Sequence, residues 1–281
     1  MRSQPGILAP LPAVGRFLVY GLRVGADLTE ALAKVGALVI DDGLVLGLGA
    51  PLVAVDGLRP FPALAGPGVA IPSTQGALFA FVRGADPGEV LARARALSDQ
   101  LGEGFVLDED VATFQYDGGR DLTGYEDGTE NPKGARAAEV ALGTGGESFV
   151  SVQRWVHDLA GFARRSAEAR DAIVGRSRET NEELADAPAS AHVKRAAQES
   201  FDPPSFLVRR SMPFGDVGEH GLYFVAFGAT LDPFERILAR MIGAEDGVVD
   251  GLFQLSRPVS GGHYLCPPLR DGGKLDLPVL G

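Results

Sequence analysis

Residues 221–241 read GLYFVAFGATLDPFERILARM. The first eight are rich in aromatic and β-branched residues and predict a strand. Asp232-Pro233-Phe234-Glu235 then has the form of a helix start, and Ile237, Leu238 and Met241 follow at helical spacing. Residues 77–101 repeat the pattern. ALFAFVRG is a strand, Asp86-Pro87-Gly88-Glu89 supplies N-cap, N1 proline and N3 acid, and Leu91, Ala94, Leu97 and Leu101 form the apolar face. The two Asp-Pro-x-Glu starts lie 146 residues apart (86 to 232), about half of the 281-residue chain. Strand, cap and helix recurring together predict two similar halves. Each half offers strands and about two helices in split βαβ order. The expected fold class is therefore α+β, with duplicated ferredoxin-like domains over 1–144 and 145–281 and antiparallel sheets.

Working outward, FLVYGLRV (17–24) reads as a strand, and DLTEALAKVG (27–36) as a helix opened by Asp27 and Glu30. LVLGLGAPLVAV (44–55) and FVLDEDVATF (105–114) read as extended chain. Between the halves, residues 148–184 place Trp155, Leu159 and Phe162 on one helical face. The stretch from there to Pro204 is small and polar and reads as a long loop, which in a compact domain is functional or disordered.

The totals exclude several function classes. Lys and Arg number 26 against 37 Asp and Glu, a net charge of -11 without a long run of like charge. Nucleic acid and anionic membrane are not expected partners. The single cysteine, Cys266, rules out a disulfide within the chain and a thiolate metal cluster. With no signal-like h-region and no apolar run of about 18 residues, the expectation is a soluble cytoplasmic protein.

Several motifs fail. Gly47-x-Gly49 lacks the third glycine of the dinucleotide fingerprint, and no P-loop or HExxH is present. Asp127, Thr129 and Asn131 imitate an EF-hand start, but Pro132 stands where glycine is needed. Four histidines remain. His157, beside Asp158, reads as a solvated helix residue. His220 and His263, in glycine-flanked turns, read as surface residues. His192, in Ala-Ser-Ala-His-Val, has small neighbours that let a flat group approach, yet by itself reads as an ordinary loop histidine.

One further stretch stands out: GYEDGTENP (124–132), with three acids beside strong turn chemistry. It resembles the GxxDG signature of dye-decolourising (DyP-type) haem peroxidases. QRWVHDL (153–159), VGR (174–176), AHV (191–193), RRSMPFG (209–215), GLYFVAFG (221–228) and RPVSGGHY (257–264) are similar to that family in the same order. The resemblance covers nearly the whole chain and is nearest to the compact bacterial branch. It implies two ferredoxin-like domains, with haem b in the C-terminal half and the GxxDG loop supplied by the N-terminal one.

It further implies His192 as proximal iron ligand, with Asp250 either orienting its other ring nitrogen or standing as a surface acid. Asp127 is the implied distal acid and Arg209 the distal arginine, with Arg210 turned elsewhere. Peroxide must lose a proton from one oxygen and gain one on the other, which suits a single carboxyl group. Arg209 would stabilise the developing negative charge. Arg176 pairs with a haem propionate or is a surface arginine. Ser211 anchors a distal water or is a turn hydroxyl. Phe224 packs on the haem or is plain core. Glu130 lies near the haem edge or is solvated. Cys266 departs from relatives, which carry an apolar residue there, and reads as a buried thiol.

The implied reaction is haem-dependent reduction of hydrogen peroxide, with oxidation of dyes, phenols or other one-electron donors through a ferryl intermediate. Trp155 and the tyrosines are the candidate electron carriers. Other readings of the same fold are a porphyrin-handling protein that oxidises porphyrinogen or releases iron, a non-catalytic haem carrier, and a cofactor-free dimeric binding module. The resemblance also implies a homo-oligomer. The tail GGKLDLPVLG (272–281) loosely resembles segments that dock relatives inside encapsulin shells, or is a plain terminal strand.

Overall fold

The computed structural model describes residues 2–277. The first half supplies strands β1 (Val14–Leu22), β2 (Leu44–Leu48), β3 (Leu64–Gly66), β4 (Val69–Ile71), β5 (Leu78–Gly84) and β6 (Phe105–Phe114), with helices α1 (Leu28–Ala37) and α2 (Pro87–Leu101). Helix α1 starts where Asp27 accepts hydrogen bonds from the amides of Thr29 and Glu30, and α2 where Asp86 accepts one from Glu89. β3 and β4 form a small hairpin apart. The other four strands lie in the order β2-β5-β1-β6, all antiparallel.

Helix α3 (Gly134–Ala141) leads into β7 (Ser148–His157), α4 (Leu159–Ala163), α5 (Ala167–Val174), α6 (His192–Arg195), β8 (Val208–Arg209), β9 (Met212–Gly215), β10 (His220–Gly228), α7 (Asp232–Met241), β11 (Ser256–Pro258) and β12 (Gly262–Cys266). Here β12-β7-β10-β9 repeats the order of the first half: first and third strands in the middle, second and fourth outside. That is the split βαβ arrangement expected twice. β8 precedes β9 along the same edge of β10, in one register, because Arg209 faces Ala226 and Met212 faces Tyr223.

The two sheets are not separate. Leu265 of β12 pairs with Leu48 of β2, and Thr113 of β6 pairs with Phe214 of β9. With β7 bonded to β10, the strands β7-β12-β2-β5-β1-β6-β9-β10 close a ring. Strand alternation then assigns each side chain to one of two faces. Phe17 and Val19 of β1 join Phe79, Phe81, Tyr223, Phe227 and Tyr264 inside the ring, where Phe17 stacks on Tyr223 at 4.3 Å between centroids. Leu18 and Tyr20 face outward onto α1 and α2. On the other side of the ring, α7 covers Trp155 and Phe224 with Phe234, Ile237 and Leu238.

Three local expectations change. Residues 148–157 are a strand, not helix; the helix begins only at Leu159, where the Asp158 carboxylate accepts the Gly161 amide. Asp232 does not cap α7; its carboxylate goes to Arg59 at 2.6 Å. The long loop carries the single-turn helix α6. Of the tail 272–281, the last four residues lie outside those described. Among the described residues no helix is long and apolar enough to cross a membrane.

Candidate active site

β7 turns Gln153, Trp155 and His157 away from the ring interior, and β10 does the same with Leu222 and Phe224. Facing them are Phe234, Ile237, Leu238 and Met241 of α7. The cavity between has about 1070 Å3 of empty space, counting solvent at its mouth, and its wall is mostly apolar. The remaining wall comes from His192 and Ala196 of α6, from Leu252 and Leu255, and from the loop 121–127, which connects β6 to α3.

His192 opens α6. Its Nδ1 lies 2.8 Å from Asp250 Oδ2. Asp250 is 1% exposed, and its other oxygen accepts the Leu252 amide at 2.8 Å. The surface-acid reading of Asp250 is thereby overturned. A buried carboxylate acceptor places the ring proton on Nδ1 and leaves the lone pair on Nε2. Gly251 makes this fit achievable. Its amide donates to Ser190 at 2.7 Å, and a Cβ there would stand 2.9 Å from the Ile173 carbonyl oxygen and 3.2 Å from that of Ser190. Any larger residue would push Asp250 off the histidine loop.

Asp127 and Arg209 meet in the same cavity, with Oδ1 and Nη1 3.4 Å apart. Asn131, the penultimate residue of GYEDGTENP, clamps Arg209. Its Oδ1 accepts the Arg209 amide at 2.8 Å and its Nδ2 donates to the Arg209 carbonyl at 3.0 Å. Arg209 Nε is buried without a hydrogen-bond partner among the described residues, so the guanidinium retains a donor for a ligand. Arg210 donates to the carbonyls of Leu8 and Arg209 and does not line the cavity. Ser211, two residues on from Arg209, lines a smaller adjoining pocket that shares Asp127, Arg209 and Leu222 with the large one; its Oγ accepts the Val225 amide at 3.3 Å. Phe224 is in the cavity wall, 5.7 Å from Phe234 between centroids.

Arg176 is not in that wall. Its guanidinium donates to Glu130 at 2.8 Å, to Glu183 at 2.6 Å and to the Asn181 carbonyl at 3.0 Å. Glu126 is likewise engaged, by Arg120 and Asn181. Cys266 is buried at the end of β12, away from the cavity, and burial pushes its thiol well up, so it is inert.

His157 was missed. It is on a strand, its side chain only 6% exposed, and it lines the cavity. Nε2 lies 3.1 Å from Asp121 Oδ1, and Nδ1 lies 2.6 Å from Ser256 Oγ. Burial raises the Asp121 carboxyl, but the hydrogen bonds from His157 and Thr123 and the charge of His157 outweigh it and hold the group below the usual carboxylate range. The signal was available: in QRWVH, residues 153, 155 and 157 alternate with period two.

The family model described as Dyp-type peroxidase, C-terminal, matches residues 118–271, more than half of the chain. The chain belongs to the Dyp-type peroxidase family. A dye-decolorizing peroxidase of Mycolicibacterium paratuberculosis is 32% identical, over 95% of this chain and 84% of its own. Among solved structures, a DypB variant from Rhodococcus jostii RHA1 in complex with heme is 27% identical with a TM-score of 0.87, covering 95% of this chain and 96% of that one. The encapsulated DyP-type peroxidase from Mycobacterium smegmatis is 26% identical with a TM-score of 0.84, covering 95% and 96%. As a Dyp-type peroxidase the chain is an enzyme that reduces peroxide at the expense of electron donors, on the α+β fold described above.

Proposed function

We propose that the large cavity holds haem b, with His192 as the ligand to iron and Asp127 with Arg209 as the groups that handle peroxide. One observation carries the reading: an imidazole oriented by a buried carboxylate and an acid–arginine pair line one apolar cavity. The donor set fits haem. Among the described residues no group of three or more His, Cys, Asp or Glu could hold a bare metal ion, whereas a porphyrin needs only one axial side chain and a flat apolar slot. Trp155, Phe224 and Phe234 supply such walls.

Bound there, the iron supplies the electron chemistry with peroxide that side chains lack. Asp127 takes a proton from one peroxide oxygen and returns it to the other, so that the departing oxygen leaves as water. Arg209 holds the negative charge that builds during this transfer, with its backbone fixed by Asn131 so that little rearrangement is needed. Asp250 fixes the His192 tautomer and strengthens Nε2 as a ligand. Ser211 positions water at the back of the distal pair. Arg176, committed to Glu130 and Glu183, braces the loop that carries Asp127. The distal pair argues against a mere haem carrier, which would need His192 alone.

The division at 144/145 is retained as the boundary between the two halves; the repeated strand order supports it. We also read the enzyme as a cytoplasmic homo-oligomer, and its tail as a candidate for shell docking; the similarity to an encapsulated relative supports the latter.

The test is spectroscopic. Parent protein supplied with haem should show a Soret band that changes on adding peroxide. His192→Ala should lose the normal axial ligation, and Asp127→Ala and Arg209→Ala should each slow the peroxide reaction by about a hundredfold or more. Normal ligation in the first variant, or the parent rate in both others, would overturn the assignments.

A further inference from the structure

Asp127 rides on a short hairpin. Its amide donates to the Gly119 carbonyl at 3.3 Å, Arg120 bridges Glu126 antiparallel, and the Asp121 amide donates to the Tyr125 carbonyl at 2.9 Å. The three rungs share one register, so residues 119–127 form a narrow ribbon with its tip at 122–124. The base of this ribbon is loose. Gly118 and Gly119 have φ of +72° and +108°, and a Cβ on either would meet nothing within 4 Å; on the other arm Gly128, at +73°, follows Asp127 directly. Asp127 thus stands between glycine joints, on a two-stranded ribbon that has little stability of its own.

The tip is where the ribbon is fastened. One Asp121 oxygen accepts the Thr123 amide at 2.9 Å and the Thr123 hydroxyl at 2.6 Å, which shapes the turn; the other lies 3.1 Å from His157 Nε2 on β7. His157 is held from behind, with Nδ1 2.6 Å from Ser256 Oγ on β11. The side chains of the pair are only 6% and 14% exposed. The ribbon's other outward hydrogen bonds go to Asp171 of α5, and to Arg178 and Asn181 in the loop beyond it. Apart from the contact of Asp127 itself with Arg209, the Asp121–His157 pair is therefore the ribbon's polar tie to the sheet among the described residues. It is a stiff tie, because removing one partner strands the other's charge away from water. The tied rung stands two residues, about 7 Å, along the ribbon from the rung of Asp127, so a tip that swings carries Asp127 with it.

We propose that His157 is a positioning residue for the peroxide reaction: through Asp121 it pins the hairpin that carries Asp127, and so fixes that carboxyl over the cavity. The inference rests on the reading of Asp127 as the group that handles the protons of peroxide. His157 lends no atom to the reaction. It holds the carboxyl in reach of both peroxide oxygens, where a misplacement of about 1 Å costs about a hundredfold in rate.

The test mixes peroxide with haem-loaded protein by stopped flow. His157→Ala should react about tenfold or more slowly than the parent, with an unchanged Soret band before peroxide is added. His157→Gln keeps an N–H for Asp121 and an acceptor for Ser256, and should recover most of the rate. The deciding comparison is Asp127→Ala against His157→Ala/Asp127→Ala. Once the carboxyl is gone there is nothing to position, so these two should differ by less than about twofold. Without peroxide, hydrogen exchange read by mass spectrometry should be about tenfold or more faster over residues 119–127 in His157→Ala, and unchanged in β1 and β5. The parent rate in His157→Ala, a His157→Gln variant as slow as His157→Ala, or a full additional loss in the double variant overturns the positioning role. Unchanged exchange over 119–127 overturns the tie. The parent rate in Asp127→Ala overturns the reading of the distal acid, and the positioning role with it; a slow Asp127→Ala beside a fast His157→Ala overturns the positioning role alone.

Discussion

The clamp of Asn131 on Arg209 is open to a direct test. Asn131→Ala removes two hydrogen bonds, of 2.8 and 3.0 Å, from the backbone of one residue on a two-residue strand. Each bond is worth about 1 kcal/mol net, and a backbone group left unpaired costs about 1–3 kcal/mol, so a loss near 2 kcal/mol is expected. Urea denaturation should show it as a lower midpoint at unchanged slope. The functional loss should be larger in proportion. Arg209 reaches Asp127 across 3.4 Å, and a misplacement of about 1 Å at a reacting centre costs about a hundredfold. Stopped-flow mixing with peroxide should therefore show a rate reduced by about tenfold to a hundredfold. Asn131→Asp is the discriminating variant. It keeps an acceptor for the Arg209 amide but turns a second oxygen against the Arg209 carbonyl, so it should recover no more than half the stability. If Asn131→Ala reacts with peroxide at the parent rate, the clamp does not position Arg209 and the reasoning fails.

Two further outcomes are expected. Asp250→Asn keeps the shape but removes the carboxylate charge beside His192, so haem affinity should fall by about tenfold to a hundredfold and the iron midpoint potential should rise; an unchanged potential in a spectroelectrochemical titration would refute the role. His263 is fully buried, and burial together with the Arg59 charge pulls its imidazole down to about 4. Its unfolded value is near 6.5, so between about 6.5 and 4 the unfolded chain binds a proton that the native one refuses, and stability falls with pH by up to about 3 kcal/mol. The drop in denaturation midpoint from pH 7 to 4.5 should shrink in His263→Gln; an equal drop in parent and variant would count against it.

The parts of the fold that were legible are those set by local chemistry. Asp27 and Asp86 cap as their sequences imply, and β5 with α2 and β10 with α7 are read correctly because strand pattern and helix start lie side by side. What lay beyond reach depends on distant partners. Asp232 has the same local motif as Asp86, yet Arg59, far away in sequence, captures its carboxylate. Ring closure rests on single pairs such as Leu48 with Leu265, which no local pattern announces. His157 and His263 were assigned to the surface because neither neighbourhood reveals that its strand is covered on both faces. Of the site, His192, Asp127, Arg209, Phe224 and Asp250 were named from the family resemblance, and the structure brings the first four to one cavity wall with Asp250 behind His192. Arg176 does not line the cavity; its guanidinium bonds Glu130 and Glu183.

The ring has a bearing on how the chain reaches its native state. Its last strand ends at Cys266, and beyond it Leu269 exchanges backbone hydrogen bonds with Arg2 at the other end of the chain. The side chain of Gln4 bonds both the Leu46 backbone and the Pro267 carbonyl. Head and tail thus fasten one belt. While a growing chain is still on the ribosome, β2 is a bare edge that cannot be covered until some two hundred more residues have emerged. Because Arg2 and Leu269 are neighbours, a chain in which the segments that carry them are joined, and which opens instead at an exposed loop, would keep the same cavity but seal that edge at a different moment of synthesis.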